Sequence, residues 1–185
     1  MKPAAILALP LVLLLASGPA QAGAREDVLA AASKFQALKS YHVTMTHEGQ
    51  GTTMEMDFVA PDRFRMQMPM GTQYMIGDTM YMNVDGRTMK LPLQANMAQQ
   101  WRDPAKLRAD QAKTTATALG PGMVDGKPAQ KYRMTHADSP GTTSTMWIGA
   151  NGYPLQIVVE SKAQPGSTTI RYSRFNDPSI RIDPP

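Results

Sequence analysis

The sequence has 185 residues, and the side chains best suited to chemistry are its 15 methionines and three histidines. Many of the methionines are ordered. Met54 and Met56 lead to Phe58; Phe64 leads to Met66, Met68 and Met70; Met80 and Met82 lead to Val84. Thioethers are soft donors that favour Cu(I), and His42, His47 and His136 supply imidazoles. Residues i and i+2 of one strand lie about 6.6–7 Å apart, so these runs hold a single ion only where neighbouring strands cooperate. The runs also continue into Phe58, Phe64 and Val84, as a core does. Unbranched, polarisable side chains make an adaptable apolar surface, whereas a core built from them specifies its packing poorly. The expectation is therefore an internal cavity for an apolar ligand, with plain core and a Cu(I)-binding protein as the alternatives.

Catalytic patterns are missing. The chain contains no Gly-x-Ser-x-Gly, no His-Glu-x-x-His and no cysteine. Gly120–Lys127 has the wrong glycine spacing for a phosphate loop, and Pro128 stands where Ser or Thr is needed. The reading is a non-enzyme with no catalytic residues, no cofactor and no dedicated metal ligands. The formal net charge of +4 is spread over residues such as Arg63, Arg65, Lys90, Arg102, Lys131 and Arg171. No basic cluster interleaves with aromatics, which excludes nucleic acid as a partner.

Alternation decides which elements carry the methionines. Residues 51–92 read as an antiparallel meander, punctuated by Pro61, Gly71, Gly77-Asp78 and the hairpin pair Asp85-Gly86. Tyr41–Glu48 alternates ahead of it, and Arg87–Leu91 closes it with Met89 and Leu91 on one face. A second block follows: Thr114–Leu119, Ala129–His136 with Tyr132 and Met134 on one side, Thr142–Ile148 carrying Met146, Leu155–Val159, and Thr168–Phe175. Asp125-Gly126 and Asn151-Gly152 mark its turns. The tail, 176–185, is proline-rich and is expected along a sheet edge. Two helices are expected. Arg25–Lys39 carries a stripe of Val28, Leu29, Ala32, Phe35 and Leu38; a second within 95–113 carries Met97 and Trp101 and starts afresh at Asp103-Pro104, an N-cap followed by proline.

At the N-terminus, Lys2, the apolar run Ile6–Ala16 and Ala20-Gln21-Ala22 read as a secretory signal peptide over 1–22, cleaved after Ala22 or, as second choice, after Ala24. The apolar run is short for a bilayer span. Without cysteine, neither a lipidated N-terminus nor a disulfide is expected. Residues 23–185 then form one exported, periplasmic domain.

Several stretches resemble the periplasmic lipoprotein-carrier (LolA-like) superfamily of the outer-membrane lipoprotein-sorting type. They are Phe35–Tyr41, Phe58–Arg65, Met75–Tyr81, Val124–Lys127, Trp147–Leu155 and the closing Phe175-Asn176-Asp177. The resemblance implies an α+β fold: a strongly curved antiparallel sheet, an unclosed half-barrel, with helices packed in its concave face. It implies a cavity between sheet and helices that holds lipid or lipoprotein acyl chains. Relatives often line it with Leu, Ile and aromatics, whereas here the alternation assigns Met. The lining is expected to comprise Val43 and Met45; Met54, Met56 and Phe58; Phe64, Met66 and Met68; Met80, Met82 and Met89; and Tyr132, Met134 and Met146. Phe35, Leu38, Met97 and Trp101 would lie on lid helices. Such a carrier is a monomer that exchanges its load with a delivery or acceptor protein of the inner or outer membrane. A sensor of mislocalised lipoproteins would share the same sequence features.

Overall fold

A computed structural model describes residues 20–49, 51–69, 71–84, 87–93 and 103–185. Met70, the Asp85-Gly86 turn, Met97, Trp101 and the signal-peptide expectation for residues 1–19 lie outside them. The described chain is helix α1 (Ala20–Gln36), six strands, helix α2 (Pro104–Ala112) and five more strands. The strands are β1 (Ser40–His47), β2 (Thr53–Val59), β3 (Arg63–Met68), β4 (Gly71–Ile76), β5 (Thr79–Val84) and β6 (Arg87–Pro92), then β7 (Thr114–Val124), β8 (Lys127–His136), β9 (Thr142–Gly149), β10 (Pro154–Ser161) and β11 (Gln164–Ser173). All belong to one 11-stranded antiparallel sheet in the order β6-β5-β4-β3-β2-β1-β11-β10-β9-β8-β7. β6 and β7 are free edges, so the sheet is an unclosed half-barrel, and the fold is α+β as expected.

The two blocks of alternation become two halves of this sheet. β1 joins them by pairing with β2 on one side and β11 on the other. β7 and β8 meet at Asp125-Gly126, whose φ angles of 48° and 75° give the twist that a tight two-residue hairpin needs. β7 runs beyond the expected Leu119 to Val124 because a bulge between Ala118 and Gly120 lets pairing continue.

Helix α1 differs from its expected limits. It starts at Ala20, ahead of the expected cleavage point, and ends at Gln36 instead of Lys39. Its buried side chains are Ala24, Val28 and Ala31, with Leu29 and Ala32 only half-buried. They pack on Ala116, Tyr132, Met146 and Ile148 of β7–β9. Small alanines are what allow the helix to approach the sheet closely, and hydrophobicity patterns weight them least. Leu38 is not on the helix; it lies in the turn after it, 1 % exposed, inside the second core cluster.

That second cluster joins Tyr41 and Val43 to Phe58, Phe64 and Met75. Its rings form a chain: Phe35–Tyr41 at 4.5 Å, Tyr41–Phe58 at 4.8 Å and Phe58–Phe64 at 5.0 Å, within the range where aromatic pairs attract. The tail departs from its expected edge position. It crosses interior strands: Ser40 Oγ donates to Asp177 O, Arg63 donates to Ile182 O at 2.7 Å, and Ile180 and Ile182 are buried.

Candidate functional site

Register places the methionines. Met45 stands opposite Met54, Met56 opposite Met66, Met75 opposite Met80, and Met82 opposite Met89. Because each partner of a cross-strand pair projects to the same side, these thioethers share one face with Val43, Phe58 and Phe64. Across the β1–β11 junction the face continues through Ile170, Ile157 and Met146 to Tyr132. Helix α1 packs on this face.

Burial divides the face. Val43, Phe58, Phe64, Tyr132 and Met146 are buried in the two clusters. Met45, Met54, Met56, Met66, Met80, Met82 and Met134 are half-buried, and Met68 and Met89 are exposed at 37 % and 48 %. Among the described residues, α1 lies mainly over β7 and reaches β10, and its Phe35 extends to Tyr41 on β1. Helix α2 begins as expected, with Asp103 Oδ1 accepting from Ala105 N at 2.8 Å. Only Leu107 and Gln111 of its described side chains are half-buried, the rest being exposed. Arg25 ties it to α1, donating to Gln111 O and Thr114 O at 3.2 and 3.4 Å.

Cavities open beside the methionines. One of about 390 Å³ is bounded by Met45, Met54, Met68, His47 and Thr168. Another, about 330 Å³, is bounded by Met68, Gly71, Gln73 and Met82. They share Met68 and Pro69, so they form adjoining parts of one groove. A third, about 350 Å³, lies between helices and sheet and is lined by Val28, Leu29, Ala32, Gln111 and Met134. Volumes of 300–1,000 Å³ suit small apolar ligands. A larger cavity, about 740 Å³, is polar, ringed by Glu48, Arg133, Glu160 and Lys162, and contains none of the predicted site residues.

Two polar contacts fix this architecture. Tyr132 donates its hydroxyl to Asp27 Oδ2 on α1 at 2.8 Å, and burial, reinforced by that acceptor, pushes the phenol up to about 12. Lys34 donates to Asn151 O at 2.9 Å, anchoring the last turn of α1 on the β9–β10 turn. The Tyr132 hydroxyl keeps its proton through the neutral range, so the helix is tied to the sheet at its middle through Asp27 and at its last turn through Lys34.

The outward face carries a second polar feature, which alternation alone does not reveal. Asp57, 6 % exposed, is flanked in register by His42 and Arg65. His42 Nδ1 lies 2.9 Å from Asp57 Oδ1, while Arg65 donates Nε–H to Oδ2 at 3.1 Å and adds a second bond from its terminal nitrogen. This removes His42 from the methionine face. Met75, fully buried, is a face residue that reading by Met-x-Met runs misses, since Tyr74-Met75-Ile76 shows no alternation.

The open sheet with a helix against its inner face is the α+β half-barrel that the sequence resemblance implied. In solved structures the same fold appears in the lipoprotein LppX of Mycobacterium tuberculosis, with a TM-score of 0.67 and 17% identity over 88% of this chain and 99% of that one. LprF of Mycobacterium bovis aligns with a TM-score of 0.67 and 16% identity, covering 90% and 99% of the two chains. MucB aligns at 0.53 and 18% identity over 90% of this chain and 62% of its own length. These likenesses establish the fold. No protein-family model matches the chain, and no curated protein matches it in sequence.

Proposed function

We propose that this protein is an exported carrier or binding protein that holds a lipid or fatty-acyl group on the inner face of its sheet. The observation that carries the reading is the register-aligned row of half-exposed methionines flanking adjoining cavities at Met68. A face meant only as core would bury these side chains as it buries Phe58 and Met75. Partly accessible among the described residues, the face offers flexible thioethers that adapt to a methylene chain without a fixed shape. Each buried methylene contributes roughly 0.8 kcal/mol, so no covalent chemistry is needed to load the protein. Unloading requires a partner or a movement that competes for that energy.

The fold shared with a lipoprotein, LppX, supports an extracytoplasmic site of action, as does the apolar run ahead of Ala20-Gln21-Ala22. A single mature domain over 23–185, not lipidated and acting as a periplasmic monomer with a membrane-side delivery or acceptor protein, completes the reading. The test is mass spectrometry under denaturing conditions of protein purified from a bacterial periplasm. A co-purified lipid or fatty acid is expected; its absence, together with failure to take up an acyl probe, removes the proposal.

A further inference from the structure

Each histidine has a distinct setting, and one of them meets the methionines. His42 is engaged by Asp57 on the outward face. His136 borders the cavity beneath the helices, which includes a single methionine, Met134. His47 borders the cavity of about 390 Å³ together with Met45, Met54 and Met68. Three thioethers and one imidazole thus surround one hollow, contributed by three adjacent strands.

We propose that Met45, Met54, Met68 and His47 form one binding site for a soft monovalent cation, Cu(I). A single strand supplies only two of the four donors, Met45 and His47, about 6.6–7 Å apart along β1. The register supplies what one strand lacks. Met54 lies directly across from Met45, and directly opposed residues have Cβ atoms about 4.5–5.5 Å apart. Glu55 and Gln67 are the last pair of the β2–β3 ladder, and the next residues outward, Met54 and Met68, line the same cavity. Three rotatable bonds per thioether let the sulfurs turn inward on a common point.

The imidazole is oriented for the task. His47 Nδ1 lies 3.0 Å from Thr168 Oγ1 on β11. In the tautomer that donates Nδ1–H to that hydroxyl, Nε2 carries the lone pair, the arrangement by which an outer partner orients a ligating histidine. Sulfur and imidazole donors without a carboxylate select Cu(I) over hard divalent ions. The site does not depend on the acyl reading; its readout is metal affinity, so the two proposals fail separately.

Anaerobic titration of the purified protein with Cu(I) against bicinchoninate tests it. The protein is expected to withdraw one Cu(I) per chain from the chelator. Met54→Leu and His47→Gln are each expected to weaken binding at least tenfold, whereas Met123→Leu, on an exposed methionine of β7, leaves it unchanged. No withdrawal at micromolar chelator, or equal weakening by Met123→Leu, overturns the site. Wild-type protein labelled at its methionine methyl carbons gives a test that needs no variant: Ag(I) should shift the resonances of Met45, Met54 and Met68 and leave Met146 in place. Shifts spread evenly over all methionines also overturn it.

Discussion

Asp57 and His42 face each other across β1 and β2, with Oδ1 and Nδ1 2.9 Å apart on the outward side of the sheet. Burial pushes the Asp57 carboxyl up, but the hydrogen bonds from Arg65 and His42 outweigh it and hold the group below the ordinary carboxylate value. A carboxyl depressed in the folded state stabilises the fold above its unfolded pKa of about 3.9 and loses that contribution as pH falls through the folded value. Asp57→Asn should therefore cost about 1–3 kcal/mol at pH 7 and progressively less as the pH is lowered below 4. Urea unfolding of both proteins across that range checks it. A penalty that does not change with pH would show that charge is not what Asp57 contributes.

Burial sorts the methionines into two kinds, and truncation should separate them. Met75 is fully buried and Met89 is 48 % exposed. Met75→Ala should lose about 2–5 kcal/mol through lost burial and the cavity left behind. Met89→Ala, on the edge strand β6, should change stability by less than about 0.5 kcal/mol. Comparable losses in denaturant midpoints would mean that the methionine face is uniform core.

The tail acts as a clasp over β1 and β3. Ile182 is 2 % exposed and its carbonyl accepts from Arg63. Ile182→Ala should destabilise by about 2–5 kcal/mol and lower the thermal midpoint by several degrees. An unchanged melting curve would place the tail outside the cooperative fold.

Arg25 is the tie between the two helices. Arg25→Ala should raise amide hydrogen exchange in 104–112 while leaving the β8–β10 ladder protected. Uniform exchange rates in both proteins would show that α2 is held by other contacts.

Much of this fold was legible because it rests on period-2 patterns and turn chemistry. The Met-x-Met runs located β2, β3 and β5, and Asp125-Gly126 located the β7–β8 hairpin. What was missed depends on distance. Ala24 and Ala31 matter for their smallness, which becomes meaningful only opposite Tyr132 and Met146. Asp57 looks like an ordinary polar strand residue until register sets His42 and Arg65 beside it. The tail's path follows from contacts with residues more than a hundred positions earlier. The division of the methionine face into core and groove is equally non-local, since Met146 is buried with α1 whereas Met68 and Met89 stay exposed.

The central claim is that the groove around Met68 takes up acyl chains. Fluorescence of cis-parinaric acid on titration with the delipidated protein measures this directly. Wild type should give saturable enhancement, and Met68→Asp/Met82→Asp should abolish it while remaining folded by circular dichroism, because an unpaired carboxylate in an apolar groove is costly. Undiminished uptake by the folded double variant, or no enhancement with wild type, would contradict the account.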